Sequence, residues 1–576
     1  MPQLLRARVG RVLEWWTAAG EGGIWVHDEP VRDFMLSRRH FMQWGASIIA
    51  VPALGEAFAA PAQGATDTLA ASRGGSGTPD RTAILQFGEM QGVDYDPIHL
   101  AETEFFQLYA IFDTLVSYEP DGTIIPRLAT SWQATTNSLR MTLHPGVKFQ
   151  DGTVMDAKAV AYSLNRALTD PSSTIKSEIP MLGSVNVIDS GTVDLLLTQD
   201  AVLPLLFQLA NQAGMIVSPT AVAKAGSSAA FSQAPVGAGP YAIDGAWFPT
   251  EKMSVRAWSG YWDRSAQTLG GVDFVNVTES ARVNALRSGS MDICCGLQGT
   301  DAQALKGDSS VHVVTGPGNF IYGLNINITK PPLNDLRVRQ AIAYAINRPA
   351  VNDALAANLG TPAFQFATVN SPAYDASLNK LYPYDPAKAK RLLKEAGHSQ
   401  GVSFTSVIGA TAAAYVQFGE LIQSQLKEVG IDMSLQEVEL AQAPVGIWGG
   451  PGQGHGTYDS APIGGGLTNP ATTDTVLRAY ALSSGYENAG GVNVPGVAAL
   501  LTQADAAKTS AEAAVAYKQI NRIITEGVYV AVPVYAGPAI TGYQDYVGGK
   551  PTPEFDTPLT PDFLRGLYIT KGKNPV

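Results

Sequence analysis

Residues 111–166 decide the fold, and they read IFDTLVSYEPDGTIIPRLATSWQATTNSLRMTLHPGVKFQDGTVMDAKAVAYSLNR. Asp-Gly pairs at 121–122 and 151–152 predict two tight turns. Between them, residues 139–143 (LRMTL) alternate apolar and polar side chains, as a half-buried strand does. Asp156 then offers an N-cap for a helix. The apolar face of that helix consists of Val160, Leu164 and Leu168. The stretch therefore predicts paired strands followed by a helix.

A second helix is predicted by residues 384–397, which read YDPAKAKRLLKEAG. Asp385 is its N-cap, Pro386 occupies the first helical position and Gly397 stops it. Its buried stripe consists of Ala389, Leu392, Leu393 and Ala396. Strand and helix signals are mixed along the whole chain rather than segregated, which indicates an α/β or α+β protein.

Four segments resemble, in the same order, the family 5 solute-binding proteins, which are the extracytoplasmic receptors of peptide-type ABC importers. They are 111–166, PVGAGPY at 235–241, YGLNINITKPPLNDLRVRQAIAYAINR at 322–348, and 384–397. The resemblance extends from about residue 82 onward. It implies an α/β, two-lobed periplasmic binding protein of the hinged type II kind, with an extra inserted subdomain.

The resemblance also implies a division into parts. These are a signal region at 1–59, a flexible linker at 60–81, lobe I at 82–124, 241–325 and 536–576, an inserted subdomain at 125–240, and lobe II at 326–535. The chain crosses between the lobes near Asn325 and Tyr535, and we expect those crossings to form the hinge.

The N-terminal region carries an export signal. Residues 37–42 (SRRHFM) match the twin-arginine pattern closely, and 44–54 are an apolar run too short to span a bilayer. Ala57-Phe58-Ala59 offers a small-x-small cleavage site. The alternative, a basic helix start leading into a core helix, is disfavoured by the Gly/Ser/Ala-rich stretch 60–79. We therefore expect the twin-arginine translocase to export a soluble periplasmic protein.

Residues 1–34 are unusual for such a signal because they contain five acidic side chains, whereas an export n-region is expected to be net positive. A start at Met35 would give a conventional signal, MLSRRHFMQWGASIIA. No cysteine follows the apolar run closely, which argues against attachment of a lipid there. We therefore expect a protein that is not a lipoprotein.

Charge and cysteine content exclude further classes. The formal net charge of −12 argues against nucleic acid or anionic lipid as a partner. The two cysteines are adjacent, Cys294-Cys295, so no disulfide framework staples the fold. They are expected to be two small residues at a strand end, and a strained vicinal disulfide is the alternative.

Motifs for catalysis or metal binding are missing from the sequence. The histidines after the signal region have no His-x-x-x-His spacing, and there is no His-Glu-x-x-His, Cys-x-x-Cys or Gly-x-Ser-x-Gly. We therefore expect no cofactor, no metal site and no enzyme activity, and an extracytoplasmic hydrolase is the alternative from another class.

A hinged receptor needs ligand-binding loops that face each other across a cleft. From the family's geometry, the candidates are Glu104, Phe105, Phe106, Trp247, Phe320, Tyr322, the loop 463–468 with Gly465 and Thr468, and Asn469 directly after it. For each aromatic residue, ordinary core packing is the alternative. The partners implied are a small peptide or similar polar solute, and an ABC permease and ATPase in the inner membrane.

This last loop departs from the family pattern. Peptide-binding relatives follow Tyr-Asp, here Tyr458-Asp459, with Gly-Trp and then an aspartate for the peptide's ammonium group, but this chain has Thr468-Asn469 near that aspartate's place. An unpaired buried ammonium is costly, so recognition of a free peptide N-terminus is not predicted. Glu104 or Asp474 could supply the charge instead, or the ligand could be an oligosaccharide, an opine or a metal chelate.

Overall fold

The computed structural model describes residues 78–89, 94–99, 105–119, 122–135, 137–248, 251–409, 413–438, 458–465, 470–485, 487–549, 564–570 and 572. The predicted signal region, its twin-arginine pattern and nearly all of the linker therefore lie outside the described residues.

Strands and helices alternate along the described chain. Strands β1 to β19 are Ile84–Glu89, Val116–Tyr118, Ile124–Pro126, Ala129–Ala134, Ser138–Leu143, Leu182–Asp189, Thr192–Leu197, Tyr241–Ile243, Lys252–Ala257, Gly271–Asn276, Ile293–Cys294, Val311–Ile326, Thr361–Pro362, Val402–Gly409, Ile431–Val438, Ser460–Gly465, Ala531–Gln544, Val547–Gly548 and Tyr568–Ile569. Helices α1 to α14 are Phe105–Ile111, Ala157–Thr169, Val202–Leu209, Pro219–Ala225, Ser228–Gln233, Glu279–Arg287, Gly299–Leu305, Leu336–Ala345, Arg348–Ala356, Pro386–Glu395, Ala413–Glu428, Pro470–Ala481, Val497–Asp505 and Ser510–Gly527.

One large sheet contains most of the strands, in the order β15-β14-β16-β12-β17-β11-β1-β10-β9-β8, with β13 also paired to β17. Two long antiparallel strands, β12 and β17, lie side by side at its centre and connect the strands on either side. We call β1 and β8–β11, with residues 311–317 and 538–544, half I. Half II is β14–β16 with residues 321–326 and 531–536. The lobe boundaries expected from the sequence stay a prediction.

Helix α10, which packs against the strands of half II, follows the chemistry read from the sequence. The Asp385 carboxylate accepts a hydrogen bond from the Lys388 amide at 2.8 Å, and α10 begins at Pro386. Gly397 has a φ of 89°, which ends the helix in the left-handed region that glycine tolerates best. Ala389 and Leu393 are buried in the core of half II. The capping signal in the sequence therefore predicted this helix correctly.

A second sheet, in the order β4-β5-β7-β6, lies within residues 125–240. We call the unit formed by this sheet and helices α2–α5 the small subdomain. Leu139, Met141 and Leu143 of β5 are buried at alternate positions, as predicted. Asp156 caps α2 by accepting from the amides of Lys158 and Ala159.

The PVGAGPY loop joins the small subdomain to half I. The Gly239 amide donates to the Ile111 carbonyl at 2.9 Å, and a Cβ at Gly239 would lie only 2.6 Å from that oxygen. The side-chain amide of Gln150 donates to the carbonyls of Ile111 and Tyr241 at 2.7 and 2.9 Å. Glycine is required because the two backbones touch, and the contact fixes the small subdomain on half I.

Within the described ranges, no helix combines the length and the apolar character needed to cross a bilayer.

Candidate functional site

Strand direction identifies one edge where loops from both halves converge. In half I, β1 runs parallel to β10 and β11, and in half II, β14 runs parallel to β15 and β16. The antiparallel registers of β12 and β17 place the carboxyl ends of both sets at the junction of the two halves. Ligands of open α/β sheets bind outside the carboxyl ends of their strands, so this junction is the candidate site.

The junction itself is irregular. Register shifts interrupt the pairing of β12 with β17 between Pro317 and Ile321, and again between Tyr322 and Gly323. We call residues 317–323 of β12 and 533–538 of β17 the crossing. A β-bulge locally unpairs the strands and concentrates bending there, so the crossing is where the sheet can flex. Tyr535 lies in it, whereas Asn325 lies just beyond it in half II.

Glycine allows the two strands to touch at the crossing. A Cβ at Gly318 would lie 1.4 Å from the carbonyl oxygen of Gly537, which is well inside any permitted contact. No side chain can occupy that position without moving the backbone.

An aromatic cluster lies against the half II side of the crossing. The rings of Tyr322 and Tyr535 stack with centroids 4.8 Å apart and planes 6° apart. Phe320 meets Tyr322 edge to face at 5.2 Å, and Tyr415 lies 5.8 Å from the same ring. Phe418 is fully buried beneath them. Stacked and edge-to-face pairs hold their rings in fixed positions, so the cluster is a rigid apolar surface.

Part of this cluster is open to solvent. Phe320 is 41% exposed, although a large apolar side chain is normally covered. Its ring lies over Gly464 of β16, where a Cβ would be 1.7 Å from the ring. Gly464 is paired with Tyr322 across the sheet, so the end of β16 adjoins the aromatic surface. The exposed face of Phe320 is therefore presented by two neighbouring strands at the candidate site.

The tyrosines of the cluster are neutral hydrogen-bonding groups. Burial raises the pKa of Tyr415 well above its usual range, and nearby Tyr322 and Glu487 raise it further. Burial also raises the pKa of Tyr535, together with its two tyrosine neighbours. Each phenol therefore keeps its proton at neutral pH and can donate one hydrogen bond, while Glu487 contributes a negative charge close to Tyr415.

Phe320, Tyr322 and Gly465, all three predicted from the sequence, lie at the candidate site. Phe320 and Tyr322 belong to the crossing, and Gly465 ends β16 opposite Ile321. Gly465 has a φ of 155°, a conformation that side chains avoid. Contact of these residues with a ligand stays a prediction.

Two other predicted residues are core residues of half I. Phe106 is buried and packs on Phe87 at 5.0 Å. Trp247 is buried, packs edge to face on Tyr95 at 4.7 Å, and donates its indole N–H to the Gln233 carbonyl at 3.1 Å. Their burial favours ordinary core packing, the alternative that the sequence left open.

Of the other positions predicted from the sequence, three lie outside the described residues. Glu104, Thr468 and Asn469 lie outside the described residues, and of Phe105 only the backbone is described, at the start of α1. Asp474, named as a substitute for the missing aspartate, is paired with Arg478 at 2.6 Å and is 8% exposed. A carboxylate already paired in this way is poorly suited to receive a ligand's ammonium group.

Sequence reasoning did not assign Tyr415, Phe418 and Tyr535 to the site. Tyr535 was identified only as a hinge position. Tyr415 follows the carboxyl end of β14 by six residues, and that position after a parallel strand was the available signal.

Metal and thiol chemistry find no support in the described part of the chain. Within it, no three His, Cys, Asp or Glu side chains lie together where they could hold a metal ion. Cys294 and Cys295 are both buried, at the end of β11. Burial raises the pKa of the Cys294 thiol to about 12, so it is protonated and unreactive at neutral pH.

The sequence is similar to those of several known binding proteins. The profile described as bacterial extracellular solute-binding proteins, family 5 Middle, matches residues 123–488. The glutathione-binding protein GsiB of Pectobacterium atrosepticum is 30% identical over 348 residues, covering 59% of this chain and 66% of the relative. GsiB of Escherichia coli K12 is 32% identical over 330 residues, covering 56% and 62%. The match thus spans just under two thirds of these relatives' length.

Solved structures cover more of the chain. The periplasmic binding protein AgaA of A. tumefaciens R10, in complex with agropinic acid, superposes with a TM-score of 0.70 at 25% identity, covering 84% of this chain and 99% of AgaA. DppA of Helicobacter pylori, in complex with the peptide STSA, gives 0.72 at 22% identity, covering 85% and 98%. The predicted fold class, an α/β, two-lobed periplasmic binding protein, is confirmed.

Proposed function

The chain belongs to the bacterial extracellular solute-binding proteins of family 5, and from this premise we propose that it is the substrate-binding component of an ABC import system. In this role it captures a peptide or a peptide-sized polar solute between its two lobes. It then delivers the solute, chemically unchanged, to a permease and ATPase complex in the inner membrane.

The aromatic surface at the crossing carries this proposal. Phe320, Tyr322 and Tyr415 present apolar faces and neutral hydroxyl groups beside the bulged strands where the two halves join. Binding pockets of this kind combine aromatic walls with a few fixed polar groups. A ligand bound here contacts both halves, and it therefore favours the closed state.

Relatives leave two ligand classes open. GsiB is a glutathione-binding protein and DppA was solved with a peptide, which favour a peptide. AgaA, at 25% identity, was solved with agropinic acid, which favours a non-peptide ligand such as an opine. Thr468-Asn469 in place of the aspartate is consistent with a ligand that lacks a free ammonium group. We favour a peptide whose N-terminus is not the main anchor, with an oligosaccharide, opine or metal chelate as the second candidate.

Calorimetry with a defined ligand panel tests the site. The panel is glutathione, the tetrapeptide STSA, its N-acetylated form, agropinic acid and a neutral oligosaccharide. We expect Phe320→Ala to weaken binding of the tightest-binding panel member by about 1 to 2 kcal/mol, because truncation removes the ring that the structure exposes for contact. Solution scattering should show a smaller radius of gyration with that ligand bound.

Phe248 provides the matched control, because it is 57% exposed in a turn remote in sequence from the crossing. Phe248→Ala should leave affinity unchanged. Equal losses of affinity in both variants would show that the ligand does not bind at the crossing. Binding without compaction would contradict the hinged mechanism, and turnover of any panel member by the purified protein would support the hydrolase alternative.

We further propose export by the twin-arginine translocase, supported by the SRRHFM pattern at 37–42. Replacing Arg38 and Arg39 by lysine should keep the protein in the cytoplasm, because the arginine pair is read by a receptor rather than through charge alone. Cell fractionation and immunoblotting measure the outcome. Lysine at Arg6 and Arg8 keeps the same charge and should leave export intact, and periplasmic recovery of the Arg38/Arg39 variant would exclude this route.

A further inference from the structure

Helix α3 of the small subdomain is covered on all sides. All eight of its residues, Val202–Leu209, are buried. Phe207 packs edge to face on Tyr118 of β2 at 5.8 Å. The other apolar residues of α3 share one continuous core with Leu477 of α12 and Leu501 of α13. A helix that is apolar on every face needs neighbours on every face. Here α12 and α13, which share this core with Ile463 and Ala531 of half II and which we count with that half, provide one side.

Polar contacts surround this apolar interface. The Gln208 amide donates to the Thr475 hydroxyl at 3.2 Å. Just before α3, Asp200 pairs with Lys508 at 3.1 Å, and the Gln199 side chain lies 3.4 Å from the Asp505 carboxylate. Each pair joins the small subdomain to half II. The small subdomain is itself fixed to half I, so any opening of the two halves must break this interface.

An acidic cluster borders the same contact. Arg478 of α12 lies between Asp474, at 2.6 Å, and Asp505 of α13, at 2.5 Å. The Tyr517 hydroxyl of α14 donates to Asp474 at 3.4 Å. From the small subdomain, Glu178 lies close to Thr475 and Asp474.

The charges in this cluster do not balance. Glu178, Asp200, Asp474 and Asp505 are the carboxylates, and Arg478 and Lys508 are the cations that face them. Four negative charges therefore meet two positive charges when every group is ionised. Burying the excess negative charge is unfavourable, and uptake of a proton relieves it.

We propose that α3 and this acidic cluster form an interlobe latch, which holds the small subdomain against half II and tightens as the surroundings become more acidic. The latch provides closing energy that does not depend on the ligand. The inference rests on the proposed hinge but not on the identity of any ligand.

The direction of the pH effect follows from the carboxylates. Burial, Asp474 and Asp200 raise the pKa of Asp505 to about 6, although Arg478 opposes them, and burial likewise raises the pKa of Glu178. When the halves separate, both groups become solvated and their pKa values return toward the usual range. The closed state therefore takes up protons as pH falls below about 6, and this stabilisation is lost as pH rises through that value.

Electron–electron distance measurements on the full chain without ligand test the latch. Spin labels at Ser190→Cys, on the exposed β6–β7 turn, and Val515→Cys, on the exposed face of α14, report the separation, and the native thiols are buried. Between pH 7.5 and 5.5 we expect the ratio of short to long distances to rise about fourfold for one proton taken up. Asp505→Asn, which mimics the protonated state, should show mostly short distances at both pH values.

Asp194→Asn is the matched control, because its pair with Arg140 lies entirely within the small subdomain, and this variant should keep the wild-type response. If Asp505→Asn does not fold, Glu178→Gln makes the same comparison from the other side of the interface. A wild-type distance distribution that does not change with pH would overturn the latch. So would a response that is undiminished in Asp505→Asn or disappears in Asp194→Asn. Calorimetry at pH 7.5 measures ligand binding separately, so failure of the receptor function is recognised independently.

Discussion

Replacing Arg348 with methionine will cost about 3 to 5 kcal/mol of folding free energy, because a fully buried cation organises four backbone carbonyls. Its guanidinium donates to Ala363 and Pro533 at 2.8 and 2.9 Å, and to Tyr382 and Ala343 at 3.0 and 3.1 Å. The side chain is 1% exposed. Methionine fills a similar volume but donates nothing, so the carbonyls would lose these partners in a place that water reaches poorly.

The four acceptors come from different parts of half II. Ala343 lies in the last turn of α8, Ala363 follows β13, Tyr382 precedes α10 and Pro533 lies in β17 at the crossing. Burial lowers the pKa of Arg348 to about 9, so the group stays charged at neutral pH. The planar fork of arginine reaches several acceptors at once, whereas the point charge of lysine does not. The Arg348→Lys variant should therefore lose folding free energy as well, but less than the Arg348→Met variant does.

Urea unfolding monitored by circular dichroism measures the loss. Arg391→Met is the matched control, because Arg391 is exposed on α10 of the same half, and its effect should stay within about 0.5 kcal/mol. Equal stability of the two methionine variants would show that the carbonyls find other donors and that Arg348 is not the organising group.

Replacing Gly318 with alanine will cost about 3 to 5 kcal/mol, since the new Cβ would lie 1.4 Å from the Gly537 carbonyl oxygen. The obstacle is backbone, so no side-chain rotation can relieve it. β12 and β17 must move apart at the crossing, and their flanking hydrogen bonds will break. We expect a lower melting temperature in calorimetry and weaker ligand binding, because the same strands carry Phe320 and Tyr535.

Gly191→Ala provides the control for this substitution. A Cβ at Gly191 would approach no atom closer than 3.8 Å, so alanine fits there without displacement. The melting temperature of that variant should match wild type. If Gly318→Ala proved equally stable, the close approach of the two strands would not be a constraint on the crossing.

The latch and the crossing impose different conditions on closure. The crossing supplies the flexible connection, and the latch supplies an interface that opening must expose. Burying the apolar side chains of α3 against half II favours the closed state at about 25 cal/mol for each Å² removed from water. A ligand needs to supply only the remaining difference between the two states.

The sequence alone determined the local structure where short-range chemistry decides it. Asp156 and Asp385 were predicted as N-caps because a carboxylate binds the free amides at the start of a helix whatever the rest of the fold does. The alternation of Leu139, Met141 and Leu143 predicted a half-buried strand because side chains of a strand point to opposite faces. The family resemblance, carried by such segments, gave the fold class correctly.

Only the tertiary structure decided which aromatic residues are available at the site. Phe106 and Phe320 are equally apolar in the sequence, yet one is covered by Phe87 and the other remains 41% exposed over a glycine. Exposure depends on strands that pair over long sequence separations, as Tyr322 does with Gly464 and with Tyr535. The same holds for Asp474, whose partner Arg478 is close in sequence but whose neighbour Asp505 reaches it only through helix packing. Local chemistry determined the elements, and the burial created by distant contacts determined which of their side chains can meet a ligand.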